Sequence, residues 1–278
     1  MGTIKARYDA AAERYLTWWG PVLAPTATRL LEGYSPETRD GTQPRVLDLG
    51  TGTGLLAIGA VRRWEDARVV GLDASTGMLG VAAAQADAQL TAGERARLEL
   101  VSGDAGRLPF PDASFDLVLS SFVLQLVANR GAALREARRV LRPGGRLATI
   151  TWLIAREDDR FAPDDAFEEA LDELNIDDEG DPEEARSGDF PSVPAAVAQL
   201  RRAGFREVRA EGVELVHAYE PTTYVAFLEE YAEREVFEDL EPDLRRRLRE
   251  RTAARLARLE PDAFVWRAPV VEAAGRRP

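Results

Sequence analysis

The stretch that most constrains the fold of this chain is residues 46–54. Its first four residues are apolar apart from Asp48, and they predict a short buried strand. Three glycines follow at alternate positions, and Leu55–Ile58 continues as an apolar helix. A strand that enters a helix through a glycine-rich turn is the first unit of a doubly wound α/β fold, and such a turn brings backbone N–H groups close to a ligand. We therefore expect an α/β sheet with a ligand site at this turn.

The spacing of the three glycines disfavours two common classes of ligand for such a turn, dinucleotides and the phosphates bound by P-loops. A dinucleotide-binding turn has the pattern G-x-G-x-x-G, which would need a glycine where Leu55 stands, and here the third glycine comes one place earlier, at Gly54. A phosphate-binding P-loop would need a lysine after the last glycine, and none is near. Asp48 lies directly before the turn, where its charge would repel a pyrophosphate but attract an ammonium or sulfonium group.

After residue 45 the pattern alternates between strands and helices, which predicts a parallel sheet with helices on both faces. The predicted strands are 45–49, 68–72, 97–101, 115–120 and 146–152, with helices at 53–64, 76–91 and 130–140 and a turn at 142–145. A helix over 194–203, a long strand over 205–219 and a last strand over 264–271 complete the core.

Three further segments are not needed for the sheet. Residues 1–31 predict two short helices, because Gly20, Pro21 and Pro25 interrupt the helical spacing. Aromatic residues recur at helical spacing in this segment and in two later insertions, so we expect all three to cover the open end of the sheet. The predicted parts are an N-terminal helical cap segment (1–44), a ligand-binding core (45–154), an acidic helical insertion (155–193), a core helix and strand (194–219), a second helical insertion (220–260), and the last core strand with the tail (261–278).

The residues at the ends of the predicted strands suggest an adenosine-like ligand, because ligands of open α/β sheets bind beyond the strand carboxyl ends. Asp73 ends the second strand, where a carboxylate can accept both hydroxyls of a ribose. Asp104 follows the third, where it can accept an exocyclic amine beside the Ala105 backbone. Met78 opens the next helix and could cover an adenine face.

Successive stretches of the chain resemble the motifs of the class I S-adenosylmethionine (SAM) dependent methyltransferases. The likeness runs in register from Val46 to Trp152 and is strongest to the small-molecule enzymes that include the quinone C-methyltransferases. The stretches that carry it are 46–58, 71–75 (Gly-Leu-Asp-Ala-Ser), 103–105 (Gly-Asp-Ala), 108–112 (Leu-Pro-Phe-Pro-Asp), 115–118 (Phe-Asp-Leu-Val) and 139–145 (Arg-Val-Leu-Arg-Pro-Gly-Gly).

The resemblance implies a Rossmann-like, doubly wound, seven-stranded sheet whose last strand is antiparallel, with SAM as methyl donor and S-adenosylhomocysteine (SAH) as product. It implies that Asp48 serves the methionine amino group through Gly50 and water, that Asp73 holds the ribose, and that Asp104 holds the adenine. The chain departs from many relatives at Gln125, where they carry a histidine. The cofactor-binding residues expected on this basis are Asp48, Gly50, Thr51, Gly52, Asp73, Ala74, Met78, Asp104, Ala105, Ser120, Gln125, Tyr15 and Trp19.

Four of these residues also have a purely structural interpretation. Asp73 could cap a helix and Asp104 a turn, since aspartate is favoured at both places. Tyr15 and Trp19 stand at helical spacing and could belong to the core, although the N-terminal helix closes over SAM in relatives. If a general base exists, His217 and Tyr219 are the candidates; a lone histidine on a strand is more often packed or exposed than catalytic.

Composition excludes several other classes of function. The chain has no cysteine and one histidine, so we expect no metal site and no cysteine nucleophile. A net charge of −12 argues against a nucleic-acid partner. No apolar run approaches eighteen residues and the N-terminal residues are charged, so neither a membrane span nor a signal peptide is expected, and we predict a cytoplasmic protein.

We predict a methyltransferase that moves the SAM methyl group to a small-molecule acceptor by in-line displacement. A dehydrogenase is disfavoured by the glycine spacing. A SAM-binding protein that senses without catalysing and a methyltransferase acting on RNA or protein stay as alternatives. The acceptor, the methylated atom (N, O or C) and the oligomeric state are not encoded in any motif of this chain.

Overall fold

The computed structural model describes residues 4–37, 41–154, 160–176 and 189–278. The chain divides into two compact units. The first comprises Met1–Ile154, Ser187–Val213 and Pro269–Pro278, and the second comprises Ala155–Arg186 and Glu214–Ala268. Within the described residues, we find no helix with the length and apolar character needed to cross a membrane.

The chain forms a seven-stranded sheet with the order β3-β2-β1-β4-β5-β7-β6. Strands β1 to β5 pair in parallel, and β7 runs antiparallel to β5. This confirms the predicted Rossmann-like sheet with an antiparallel last strand. The strands are β1 (Arg45–Leu49), β2 (Arg68–Asp73), β3 (Leu98–Ser102), β4 (Phe115–Ser121), β5 (Leu141–Trp152), β6 (Arg206–Ala218) and β7 (Val265–Arg276).

The strand boundaries follow the sequence prediction to within one residue except at β5 and β7. β7 continues to Arg276, beyond the predicted end at 271, because residues 272–276 still pair with β5. The predicted turn at 142–145 lies inside β5, which begins at Leu141. Leu141 pairs with Phe115, and the register then shifts before Leu117 pairs with Arg146. An irregularity of this kind accommodates extra residues without ending the strand. The Pro-Gly-Gly sequence that predicts a turn at 142–145 therefore lies within a continuing strand.

Helices cover both faces of the sheet in the first unit because their apolar sides pack on buried strands. The central strands are buried almost throughout, as in β4, where six successive residues are buried. The helices are α1 (Ile4–Arg14), α2 (Gly20–Gly33), α3 (Leu55–Arg63), α4 (Thr76–Gln89), α5 (Ala92–Arg95), α6 (Arg130–Val140) and α8 (Val193–Arg202).

The N-terminal segment differs from the two separate short helices that we predicted. A π-helical turn over Tyr15–Trp19 connects α1 directly to α2, and within it the Gly20 N–H donates to the Tyr15 carbonyl. Pro21 lies at the start of α2, where a missing N–H costs no hydrogen bond within that helix. The wide turn therefore joins the two helices where the prolines had suggested a break.

The second unit is built around packed aromatic side chains. Its helices are α7 (Ala162–Leu174), α9 (Tyr224–Phe227), α10 (Arg234–Asp239) and α11 (Pro242–Leu256), with a π-helical turn at Leu228–Ala232. Phe167 and Phe237 stack with ring centroids 5.8 Å apart. The buried Tyr224 donates its hydroxyl to Asp164 at 2.6 Å. Residues 155–159 and 177–188 of the predicted acidic insertion lie outside the described residues.

Candidate active site

A cavity of about 760 Å³ opens at the carboxyl ends of β1, β2, β3 and β4. This is the position at which open α/β sheets bind ligands, because the loops after neighbouring strands diverge there. The residues that line it come from the glycine-rich turn, the three strand ends that follow it, the segment between β4 and α6, and the N-terminal helices: Lys5, Tyr8, Tyr15, Gly50, Gly52, Leu72, Asp73, Ala74, Ser75, Met78, Gly103, Asp104, Ala105, Gly106, Ser121, Phe122, Val123, Leu126, Val127, Ala128, Asn129 and Ala132.

Asp73 lies at the end of β2 and presents a carboxylate to this cavity. The backbone N–H of Gly52 donates to one of its oxygens at 2.8 Å, and that of Ser75 donates to the other at 2.9 Å. Burial raises the pKa of Asp73, and these backbone donors oppose the rise. The N-cap of α4 is Ser75, whose hydroxyl accepts from the Met78 N–H at 3.0 Å, so Asp73 is not the capping residue.

Asp104, Ala105 and Met78 all line the same cavity. The Asp104 carboxylate also accepts the Gly106 N–H at 2.7 Å, so it stabilises the turn after β3 while one face of it meets the cavity. Asp104 therefore both lines the cavity and stabilises the turn after β3. Met78 is 2% exposed and is held on the first turn of α4.

Asp48 lies beneath the glycine-rich turn and Thr51 within it, and neither residue lines the large cavity. Asp48 is 1% exposed and accepts the Thr51 hydroxyl at 2.7 Å. Burial raises the pKa of Asp48 to about 7. Both residues border a second cavity of about 50 Å³, which shares Tyr15, Gly50, Gly52 and Ser121 with the large one. A positively charged ligand group near this turn would favour the anionic form of Asp48.

The N-terminal helix α1 contributes a wall of the cavity. Its Asp9 carboxylate accepts the Ser75 hydroxyl at 2.6 Å and the Gly77 N–H at 2.9 Å, both at the start of α4. Lys5 donates to the same carboxylate at 2.7 Å. The hydrogen bonds from Lys5 and Ser75 hold the pKa of Asp9 well below its usual range. These contacts bring Tyr8 and Lys5 to the cavity.

Of the two aromatic residues predicted near the cofactor, Tyr15 lines the cavity and Trp19 does not. Tyr15, in the π-helical turn, lines both cavities and meets the Tyr8 ring edge-on at 6.0 Å. Trp19 lies outside the cavity lining, with its ring centroid 6.4 Å from that of Trp152.

The segment between β4 and α6, residues 122–129, forms another wall, and we call it the β4–α6 loop. Ser120, predicted at the site, is fully buried and donates to the Leu49 carbonyl at 3.1 Å; the next residue, Ser121, faces the cavity instead. Gln125 lies behind the cavity wall, where its amide donates to the Phe122 carbonyl at 2.7 Å. Phe122 lines the cavity with a left-handed φ of 53°.

The two candidates for a general base belong to the second unit. The rings of His217 and Tyr219 meet edge-on at 4.6 Å. Burial lowers the pKa of His217, which keeps the imidazole neutral near pH 7, and burial raises the pKa of Tyr219, which disfavours its phenolate. Among the described residues, no group of three or more His, Asp or Glu side chains could hold a metal ion.

Several residues of the cavity wall were not predicted from the sequence. Asp9 and Lys5 form an ordinary i,i+4 pair on a helix, and only the folded arrangement brings them to the start of α4. The apolar residues of the β4–α6 loop, such as Val123 and Leu126, carry no chemical signature. Only the position of Val123 and Leu126 in the sequence indicates that they line the cavity, because they follow β4, which ends beside the glycine-rich turn.

Comparison with known proteins places this site in a recognised kind of domain. Residues 47–149 match a protein family described as a methyltransferase domain. The demethylmenaquinone methyltransferase of Mycobacterium bovis is 44% identical over 109 residues, which are 39% of this chain and 41% of that protein. The malonyl-[acyl-carrier protein] O-methyltransferase of Halorhodospira halophila is 36% identical over 150 residues, 54% of this chain and 48% of that protein. The chain thus matches less than half the length of these curated relatives.

The fold also has a full-length counterpart among solved structures. A chain in the complex between the Haloferax volcanii Trm112 methyltransferase activator and the putative methyltransferase superposes with a TM-score of 0.58. It is 22% identical, and the match covers 98% of this chain and 97% of that one. At this identity the likeness concerns the fold.

Proposed function

We propose that this chain, whose residues 47–149 form a class I methyltransferase domain, transfers a methyl group from SAM to a small-molecule acceptor. The observation that carries the proposal is the carboxylate of Asp73, which lines the cavity at the end of β2. Two backbone N–H groups orient it, one from the glycine-rich turn and one from the start of α4. A carboxylate offers about four acceptor positions, so capacity remains for ribose hydroxyls.

The residues around Asp73 fit the other parts of an adenosine. In this proposal Asp104 accepts the exocyclic amine of the adenine, the Ala105 N–H lies beside the ring, and Met78 covers one face of it. All three line the same cavity as Asp73. Their convergence on one cavity supports an adenosine ligand more than any one of them does.

The glycine-rich turn fits the methionine part of SAM. A Cβ atom added at Gly52 would meet no protein atom within 4 Å, so the backbone of this turn borders open space that a ligand can fill. Asp48 would favour the amino group through Gly50 and water. Burial raises its pKa to about 7, and an ammonium group nearby would favour its anionic form.

When bound, SAM would supply an electrophilic methyl group on a sulfonium that is already a good leaving group. The task of the chain is then to bind, align and dehydrate the reactants. Tyr8 and Tyr15 bring aromatic faces to the cavity. Such faces stabilise a nearby cation by about 0.5–2 kcal/mol.

A side-chain base is needed only for an acceptor that must lose a proton before it is methylated. His217, whose imidazole is neutral near pH 7, is the candidate for that base.

We infer a small-molecule acceptor in the cytoplasm and no nucleic-acid partner. The curated relatives act, by name, on demethylmenaquinone and on malonyl-acyl-carrier protein, which supports acceptors of metabolic type without selecting one. The net charge of −12 would repel a nucleic acid. The covering of the site by the N-terminal segment, residues 1–44, also stays a proposal, and it rests on α1, which contributes Lys5 and Tyr8 to the cavity lining.

A turnover assay tests this function directly. The protein is incubated with SAM and with cell extract separated into small-molecule, RNA and protein fractions, and SAH is quantified. We expect SAH to form with the small-molecule fraction and to be lost in the Asp73→Ala variant. SAH formation only with RNA or protein would contradict the small-molecule assignment, and SAM binding without SAH formation in any fraction would favour the sensing alternative.

A further inference from the structure

We propose that Gln125 is a positioning residue, whose side chain holds the β4–α6 loop in the shape that the cofactor requires. This inference rests on the proposed function, because it assigns a role in the same cavity. Gln125 itself stands outside the cavity lining, and its side chain is half-buried behind the wall. Its effect is therefore exerted through the residues that it contacts.

The carboxamide of Gln125 joins two parts of the first unit. Its Nε2 donates to the Phe122 carbonyl at 2.7 Å, and its Oε1 accepts the Thr151 hydroxyl at 2.5 Å. Thr151 is fully buried in β5, where it pairs with Val271 of β7. The loop residue is thus connected to a rigid central strand by one side chain that uses both of its polar ends.

Phe122 needs such a connection because its backbone is strained. Its φ of 53° is left-handed, a conformation that is rare and strained for a bulky residue. A residue keeps this conformation only where its surroundings enforce it. Here its N–H donates to the Ile150 carbonyl at 2.9 Å, its carbonyl accepts from Gln125, and its ring lies on Trp152 with centroids 4.2 Å apart.

The strained conformation determines what the cavity wall presents to a ligand. Phe122 and the next residue, Val123, both line the cavity. The side chain of Val123 lies on the glycine-rich turn so closely that a Cβ atom added at Gly50 would come within 2.1 Å of it. A change in the backbone of Phe122 would move Val123 away from or into this turn. Gln125 therefore controls the fit between the β4–α6 loop and the turn that the methionine part of SAM would occupy.

Substitutions at Gln125 separate this role from a general effect on folding. Gln125→Glu keeps an oxygen for Thr151 but replaces the donor to Phe122 by an oxygen that repels the carbonyl. Thr151→Val keeps the carboxamide and removes only the hydroxyl, and it serves as the second variant should Gln125→Glu not fold. Gln89→Glu, at an exposed position of α4, is the matched control for the same chemical change.

Trp152 provides a readout that needs no ligand. The five tryptophans are replaced by fluorotryptophan, and the Trp152 resonance is assigned by comparison with Trp152→Phe. In fluorine NMR spectra, we expect this resonance to shift in Gln125→Glu and to shift less in Thr151→Val, because the ring of Phe122 lies on Trp152. Gln89→Glu should leave it unchanged.

Calorimetry with SAH then tests the consequence for the site. We expect Gln125→Glu to weaken SAH binding about tenfold, the effect of one lost hydrogen bond that becomes a repulsion, and Gln89→Glu to bind as the wild type does. A Trp152 resonance that is unshifted in Gln125→Glu would show that Gln125 does not hold Phe122 in place. A shifted resonance with unchanged SAH affinity would overturn the positioning role. Wild-type protein that binds no SAH would instead contradict the proposed function.

Discussion

At the scale of single residues, Asp73 and Asp48 are two acids with different environments and different consequences. Asp73 faces the large cavity and receives hydrogen bonds from Gly52 and Ser75. Asp48 is buried under the same turn and receives one from Thr51. The first is therefore placed to bind a ligand directly, and the second to respond to the charge of a ligand.

We predict that Asp73→Ala weakens SAM binding by about 1.5–3 kcal/mol, because ribose hydroxyls lose a charged acceptor. Calorimetry with SAM measures the loss, and circular dichroism verifies the fold. Asp87→Ala is the control, since Asp87 lies on α4 in an exposed ion pair with Arg95. If Asp73→Ala unfolds the protein while the folded fraction keeps its affinity, the bonds to Gly52 and Ser75 are its main role.

We predict that Asp48 makes the free protein less stable as the pH rises from about 4 to 7. Its pKa is 3.8 in the unfolded chain and about 7 in the fold, so in this window the folded state binds more protons than the unfolded one. The free energy of unfolding then falls as pH rises and levels off above 7. Asp48→Asn, which keeps an acceptor for Thr51, should match the wild type at pH 4 and exceed it in stability at pH 8.

Denaturant unfolding of both proteins at the two pH values measures this difference. A variant that is equally destabilised at pH 4 and pH 8 would show that the carboxylate is needed for packing and does not carry the predicted pH dependence.

At the scale of helices and strands, the structure attaches α1 to the start of α4 through Asp9. The two hydrogen bonds from Ser75 and Gly77 lie next to Asp73, and they bring Tyr8 to the cavity. A ligand in the cavity would thus contact a helix whose Asp9 side chain is bonded to the start of α4.

We predict that SAH slows amide hydrogen exchange in α1, because bound ligand adds contacts to a helix that forms one wall of its cavity. Asp9→Ala should speed exchange in α1 without ligand and reduce the gain on SAH binding. Amides of α8, which contributes nothing to the cavity lining, are the internal control. Equal exchange in α1 with and without SAH would contradict the view that α1 closes the site.

The strands were predictable from the sequence, and the contacts between segments were not. β1 and β4 are short, mostly apolar runs of the kind that a parallel sheet buries on both faces, and Asp73 and Asp104 lie at or just after strand ends as predicted. The π-helical turn at Tyr15–Trp19 has no local signature in the sequence, whereas Gly20, Pro21 and Pro25 predict an interruption. The roles of Asp9 and Gln125 depend on partners 66 and 26 residues away, which periodicity does not reveal.

At the scale of the whole molecule, charge and cavity favour the same kind of ligand. The chain carries a net charge of −12, and its one lysine, Lys5, is paired with Asp9 at the cavity wall. The acids Asp73 and Asp104 face the same cavity. This arrangement favours a sulfonium and an ammonium group over the two phosphates of a dinucleotide.

The most direct test of the central claim is isothermal titration calorimetry of the wild-type protein with SAM, SAH and NAD. We predict that SAM and SAH bind with micromolar dissociation constants, because Asp73 and Asp104 suit the adenosine and Asp48 the ammonium group that the two ligands share. NAD should not bind, because the same acids repel its pyrophosphate. Binding of NAD without binding of SAM or SAH would contradict the claim.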